Sequence, residues 1–402
     1  MAEQVLAQSI RDLDAWQDRF EDFMTAIGRC FKRAEPRLHA QQYIQGLLSD
    51  LERKNGWQVA EAVGDTTPYG KQHLLGRAKW SADQMKPVIW ERLQNTLGRE
   101  RVTLIVDDTG FLKKGNLSVG VQRQYTGSVG KTANCQIGVF LSYWTCRGHS
   151  LWDRQLFIPR QWLDDENRRR KGKIPDHVVY QSKIEIGRVL LERALERDIE
   201  VEWVLADSLY GKASEFRRVF EKRDIQYVVG VPKSQHLFYG GCRQRLDQIA
   251  EDFEPDQWTR ASAGMGTKGP READWVLLAY QETDRGFCKY VLFRRFVDDE
   301  EHDISYFFVL ARKGVGFEEI IEAEGRRWAV EEDFETAKGE AGLDEYEVRS
   351  WHGWYRHITL SMAACAFLTE IEANQEMLKK TLQSAKVKGQ GSLSRFKESR
   401  GL

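Results

Sequence analysis

Two apolar runs that each close on carboxylates, RVTLIVDD (101–108) and EVEWVLAD (200–207), constrain this chain more than anything else in it. Runs this short and this rich in Val, Ile and Leu read as buried strands, which need cover on both faces. A helical pattern over roughly 178–198 precedes the second run. Another over 213–222 follows it and leads into IQYVVGV (225–231). That alternation predicts an α/β fold with its reactive groups at the C-terminal ends of central strands. Between the two runs, VGVQRQYTG and CQIGVFLSYWTC alternate apolar and polar residues and suit two further strands of a meander.

The flanking regions follow other rhythms. Residues 1–98 read as helical, with apolar positions at helical spacing such as Phe20, Phe23, Met24 and Ile27. Within them, residues 56–80 have the shape of a helix-turn-helix, although an ordinary helical hairpin fits the same pattern. Residues 233–304 interrupt the α/β rhythm with antiparallel-type runs, DWVLLAY and KYVLFRRF. SYFFVLARK (305–313) is one more strand. A long helix is expected over 317–338 and an amphipathic one over about 354–373. The tail 374–402 is poor in apolar residues and is expected to lack structure.

Composition narrows the function classes. At 402 residues there is room for two or three domains, and 41% apolar with 30% charged residues describes a soluble globular protein. No apolar run approaches the roughly 20 residues of a membrane helix, and the N-terminus lacks a signal peptide's basic start. Six scattered cysteines without a CxxC pair argue for reduced cytosolic thiols, without a disulfide framework or zinc site. The net charge of −1 hides an asymmetry: residues 101–190 carry 15 Lys/Arg against 8 Asp/Glu, and 374–402 carry 7 against 2. Local positive charge is what a polyanion meets.

A third carboxylate comes from GRRWAVEEDFETAK (325–338), where Arg327, Glu331 and Lys338 fall on one helix face. Together with the strand-end acids Asp107, Asp108 and Asp207, Glu331 makes a set of carboxylates drawn from three distant segments. A hard cation such as Mg²⁺ needs such a set beside a phosphodiester. Arg327 and Lys338 would then hold phosphate. Each piece has a plainer reading: Asp207 as a helix cap, and Arg327–Glu331 as a surface pair worth about 0.3–0.5 kcal/mol. Asp107 and Asp108 adjoin, so only one of them can face the metal. GMGTKG (264–269) lacks Walker A spacing, and the eight histidines show no zinc-protease spacing.

The segments DDTGFLKKG (107–115), SVGVQRQYTGSVGKTANCQIGVF (118–140), LADSLYG (205–211) and RRWAVEEDFETAKGEAGLDEYEVRSWHGWYRH (326–357), with YIQGLLSDLERKNGW (43–57), resemble a known family. The chain is similar to bacterial insertion-sequence DDE transposases of the IS-seven-oh-one type, near the cut-and-paste enzymes with a Tyr-Arg-Glu-Lys signature. The resemblance spans roughly residues 20–372. It implies an α/β, ribonuclease-H-like catalytic core (99–232 and 305–373) interrupted by a β-rich insertion (233–304). An α-helical DNA-binding domain (1–98) would precede the core, and a basic, structureless tail (374–402) would follow it.

The resemblance further implies Asp108, Asp207 and Glu331 as catalytic acids binding two Mg²⁺ ions, with Mn²⁺ as a substitute. Asp107 is the fallback for the first acid, and Glu331 is preferred to Glu332. Arg327 and Lys338 match the signature cations, and Lys113, Lys114 and Arg123 are further DNA-binding candidates. The signature tyrosine position, which contacts a phosphate at the element end in the related enzymes, is Glu324 here. The insertion's aromatics, Phe238, Tyr239, Trp258 and Trp275, are read chiefly as packing, with one possible base-stacking residue among them. The implied activity is cutting at the element's own ends and joining the 3′-hydroxyls to target DNA. The implied partners are double-stranded DNA and a second copy in a synaptic homodimer, in the bacterial cytoplasm. A catalytically inactive DNA-binding descendant, or a nuclease without strand transfer, are the alternatives.

Overall fold

The computed structural model describes residues 16–266, 269–296 and 303–398, with 376–398 as backbone alone. The first and last few residues of the expected N-terminal domain and tail, 1–15 and 399–402, lie outside the described residues. Among the described residues no helix is long and apolar enough to cross a membrane.

Five helices come first: α1 (16–28), α2 (Ala34–Leu47), α3 (Gly56–Ala62), α4 (Tyr69–Gly76) and α5 (Ala82–Leu97). Asn55 starts α3 by accepting hydrogen bonds from the Trp57 and Gln58 amides. The helices do not stand apart as a free module. Their apolar faces join one continuous core with the sheet and with the long last helix, α14 (Trp351–Glu398). Arg356 of α14 ties down the end of α4 by donating to the carbonyls of Leu75, Ala78 and Trp80. In the 56–80 hairpin, Lys71 is fully buried and spent on Asp65 (2.7 Å) and Gln42 (2.7 Å). The second helix of that hairpin therefore turns its central cation inward.

The sheet begins with β1 (Val102–Leu112), followed by β2 (Gln122–Thr126), β3 (Lys131–Thr145) and β4 (Gly148–Phe157). Two short helices, α6 (Arg160–Asp164) and α7 (Glu166–Gly172), precede α8 (Lys183–Leu195). Then come β5 (Val201–Ala206), α9 (Ser208–Gly211), α10 (Ser214–Glu221) and β6 (Gln226–Val231). The order across this part is β4-β3-β1-β5-β6, antiparallel from β4 to β1 and parallel from β1 to β6.

Past a hairpin, β7 (His236–Tyr239) and β8 (Cys242–Arg245), and α11 (Leu246–Glu251), the chain adds β9 (Thr259–Gly266), β10 (Gly269–Glu282), β11 (Phe287–Phe296) and β12 (Ile304–Arg312). β12 pairs antiparallel with β6, so 259–312 extends the same sheet and is not a detached layer. α12 (Phe317–Gly325) and α13 (Ala329–Gly339) close the fold before α14.

Several elements depart from the sequence reading. β1 runs to Leu112, so its two acids lie in mid-strand; the 15-residue β3 provides a full antiparallel partner beyond them. LWDRQLF belongs to β4, whose alternation is hidden because all but one of residues 150–157 are buried. The stretch ENRRRKG, a basic loop by its sequence, forms α7, capped by Asp165. The expected helix 317–338 breaks at a 3-10 turn over Arg326–Trp328. The backbone of α14 continues through 374–398, where no structure is expected from composition. Leu, Met, Lys and Gln favour helix there whether or not they bury anything.

Candidate active site

β1 alternates its side chains between two differently furnished faces. On one face Thr103 accepts from Arg326 (3.2 Å) and Thr109 from Lys338 (2.8 Å). Asp107 lies between them in the period-2 pattern, on the same face. Phe111, farther along it, meets Tyr346 and Trp354. On the other face Asp108 receives Lys183, the first residue of α8, at 3.0 Å. The strand thus presents Asp107, not Asp108, to the segment that carries Arg327 in its 3-10 turn and Glu331 and Lys338 in α13. Asp108, preferred as the metal acid on the resemblance, is ion-paired on the opposite face.

Asp207 ends β5 beside β1 and caps α9 by accepting from the Leu209 amide (2.9 Å). The cap reading of this residue is therefore correct as far as it goes. The turn is held tight because Gly211 lies against β6: a Cβ there would come within 2.0 Å of the Gly230 carbonyl oxygen. Asp207 is also close enough to both β1 acids to feel their charge. Burial raises Asp207 first, followed by the charge of Asp108. Asp107 is pushed up to about 8 by burial, then by the charges of Asp207 and Asp108, with Arg327 pulling the other way. Such mutual repulsion among neighbouring carboxylates marks a site short of positive charge.

Glu331 does not join the aspartates. Its carboxylate pairs with Arg327 at 3.0 Å, one turn earlier. Burial opposes the charge on Arg327, but Glu324, Glu331 and Asp107 together hold it firmly protonated. Among the described residues no three His, Cys, Asp or Glu side chains stand close enough to cage a metal ion. Two aspartates supply suitable oxygen donors. A third would require Glu331 to leave Arg327.

The approach of α13 to the sheet is set by contacts that sequence reasoning did not identify. Asp333 is buried and accepts from the Ser142 hydroxyl and the His149 ring (2.8 Å), while Glu332 lies 3.3 Å from the other ring nitrogen. At the far end of α12, a Cβ on Gly325 would meet the Ala263 carbonyl oxygen at 1.8 Å, so glycine is needed for β9 to pack there. Glu324, in place of the signature tyrosine, is buried and pairs with Arg294 of β11 at 2.7 Å. It therefore points toward the β extension, although its charge is still felt by Arg327.

The other expected cations diverge. Lys338 reaches Thr109 as described. Lys113 is turned inward, 3.6 Å from the Tyr346 ring centroid and bonded to the Tyr346 carbonyl (3.1 Å), and burial lowers it to about 8. Lys114 and Arg123 are exposed. Of the four insertion aromatics, Trp275 is fully buried and Trp258 packs on Phe253, while Phe238 and Tyr239 are exposed on the β7–β8 hairpin. Lys183 escaped notice, although Ser182-Lys-Ile-Glu185 is a capping-box pattern that places it at the start of a helix.

Residues 27–268 match the family described as "DDE superfamily endonuclease". A protein of Microchaete diplosiphon, "Probable transposase for insertion sequence element IS701", is 29% identical over 205 residues. That alignment covers 51% of each chain, so the match spans about half the length of this curated relative.

Proposed function

The chain belongs to the DDE superfamily endonucleases, and from that membership and the carboxylate arrangement we propose that it is a DNA transposase of the insertion-sequence type. It cuts at the ends of its own element and joins the 3′-hydroxyls to target DNA. The observation that carries this reading is the crowding of Asp107 and Asp207 on adjacent parallel strands beside Arg327, with Asp107 pushed up to about 8. The strand order β4-β3-β1-β5-β6 is consistent with the ribonuclease-H-like core that the resemblance implies, and it supports the same reading. The name of the Microchaete relative agrees with it.

Asp107 and Asp207 are the proposed holders of Mg²⁺, with Glu331 as the third acid and Mn²⁺ as a substitute. Bound there, the divalent ion would lower the pKa of a water or hydroxyl and neutralise charge on the phosphate. The chain's own contribution is an exchange of partners. A DNA phosphate oxygen takes the Arg327 guanidinium in a charge-assisted hydrogen bond, and Glu331 is released to the aspartates. Lys338 exchanges Thr109 for a second phosphate oxygen. Asp108 positions β1 against α8 through Lys183. The synaptic form is a homodimer on double-stranded DNA.

The test uses an oligonucleotide carrying the element's end with a free 3′-hydroxyl, a supercoiled target and Mg²⁺. Joined product is expected. Cleavage without joining would make the protein a nuclease, and binding without either would make it a DNA-binding descendant.

A further inference from the structure

A cavity of about 1000 Å³ lies away from the α13 face, where the α4–α5 turn, the edge of β4, residues 175–181 and the start of α14 meet. Seven Lys or Arg side chains line it, against one carboxylate, Asp83. Part of that charge is compensated in the wall. Lys86 and Arg154 approach both Asp83 (3.3 Å each) and the buried Asp153 (3.5 Å each), and Arg193 also pairs with Asp153. The rest is not. Among the described residues no carboxylate pairs with Lys32, Arg77, Lys79 or Arg356, and the first three are exposed at the rim. Arg356 spends its guanidinium on backbone carbonyls, which leaves its charge in place. His352 in the wall is lowered by burial and by the nearby charges of Arg356 and Lys173, as expected in a positive field.

The cavity is connected to the α8-facing side of β1 by sheet register. Asp108 pairs with Val139, and Val139 with Gln155, which lines the cavity. Register partners in adjacent antiparallel strands point to the same face. The cavity floor is therefore roughly 10 Å from Asp108 across two strand spacings. Gln155 donates to Gln181 (2.7 Å), and two residues later Lys183 reaches Asp108. Residues 175–183 thus form a short path from the cavity to Asp108, on the sheet face opposite Asp107. Trp351 and Tyr355, with ring centroids 4.6 Å apart, supply an aromatic wall.

We propose that this cavity is a second DNA-contact groove, taking the sugar–phosphate backbone of bound DNA outside the cleavage site. The inference rests on the DNA-directed function proposed above. A small anion would call for donors converging on one point; here the cations are spread along the walls of a large groove. An apolar ligand would leave them unpaired. Spread cations with interleaved aromatics are what a nucleic-acid backbone requires.

The experiment measures DNA affinity by fluorescence anisotropy across a salt series, for the full chain and for Arg77→Ala/Lys79→Ala. Both residues are exposed and lie outside the acid site, and Lys32→Ala/Lys79→Ala serves as a second variant. Affinity is expected to fall at least tenfold, with the slope of log K against log salt shallower by about two. Cleavage of a short duplex that ends within the acid site is expected to remain. If the wild-type chain binds DNA and both variants keep its affinity and slope, the groove is overturned while the transposase reading stands. If the wild-type chain does not bind DNA, both fail.

Discussion

Arg327 and Glu331 are ion-paired at 3.0 Å, so the acid expected at the metal is held by the cation expected at the phosphate. The two roles exclude each other in the free protein and become compatible once a phosphate displaces Glu331. Arg327→Gln removes the phosphate contact and frees Glu331 together. Cleavage should fall about 10²-fold, as for loss of one preorganised donor to a transition-state oxyanion. Mg²⁺ affinity, read by calorimetry, should hold or tighten. Weaker Mg²⁺ binding in this variant would contradict the exchange.

The two neighbouring acids of β1 should separate by function. Asp107→Asn should abolish cleavage, and Asp108→Asn should retain measurable activity because its carboxylate is held by Lys183 and acts on Asp207 only through its charge. Stability gives a second readout. The native Asp107 carboxyl holds its proton to about pH 8, whereas the unfolded chain releases it near 4. Between those values the unfolded state binds fewer protons, so without divalent ions stability falls as pH rises. Asp107→Asn removes that penalty and should stabilise the metal-free protein more at pH 8 than at pH 5 in urea unfolding. Equal stability at pH 8 and pH 5 relative to wild type would argue against the assignment.

Much of this site was legible from sequence, and the gaps have physical causes. That Asp107 lies on one buried strand and Asp207 at the end of another, and that Arg327 and Glu331 meet one turn apart, followed from periods of 2.0 and 3.6. Choosing between Asp107 and Asp108 did not, because an isolated run says which side chains share a face but not what covers each face. That depended on α8 delivering Lys183 and α13 delivering Lys338 from 75 and 229 residues away. β4 was missed because both of its faces are buried. The pairing of Glu324 with Arg294 joins segments 30 residues apart, across the β extension, and no local pattern announces it.

That pair has its own test. Glu324 is buried and Arg294 partly so, and Arg294 also lies over the Phe296 and Phe307 rings. Removing one member of a buried pair leaves the other charge uncompensated, at roughly 3–5 kcal/mol. Glu324→Ala should therefore destabilise strongly and loosen β11 in hydrogen exchange. The double variant Glu324→Leu/Arg294→Met should recover much of the loss. A mild effect of the single variant would mean that Glu324 acts chiefly on Arg327.

His357 gives the chain a built-in sensitivity to acid. It is buried between α2 and the loop before α14, with one ring nitrogen 2.9 Å from the Tyr43 hydroxyl and the other 3.0 Å from the Gly342 carbonyl. The carbonyl can only accept, so the ring donates from Nε2 and receives the tyrosine proton at Nδ1. Burial, reinforced by the charge of Lys113, lowers this histidine to about 3. An unfolded histidine titrates near 6.5. Below that pH the unfolded chain takes up a proton that the native ring refuses, and stability falls by up to about 1.4 kcal/mol per pH unit. His357→Asn should be less stable than wild type at pH 7.5, because it loses packing and one of the two bonds. Its stability should nevertheless decline less steeply between pH 6.5 and 5 in urea unfolding. Parallel slopes for the two proteins would show that His357 is not the group responsible.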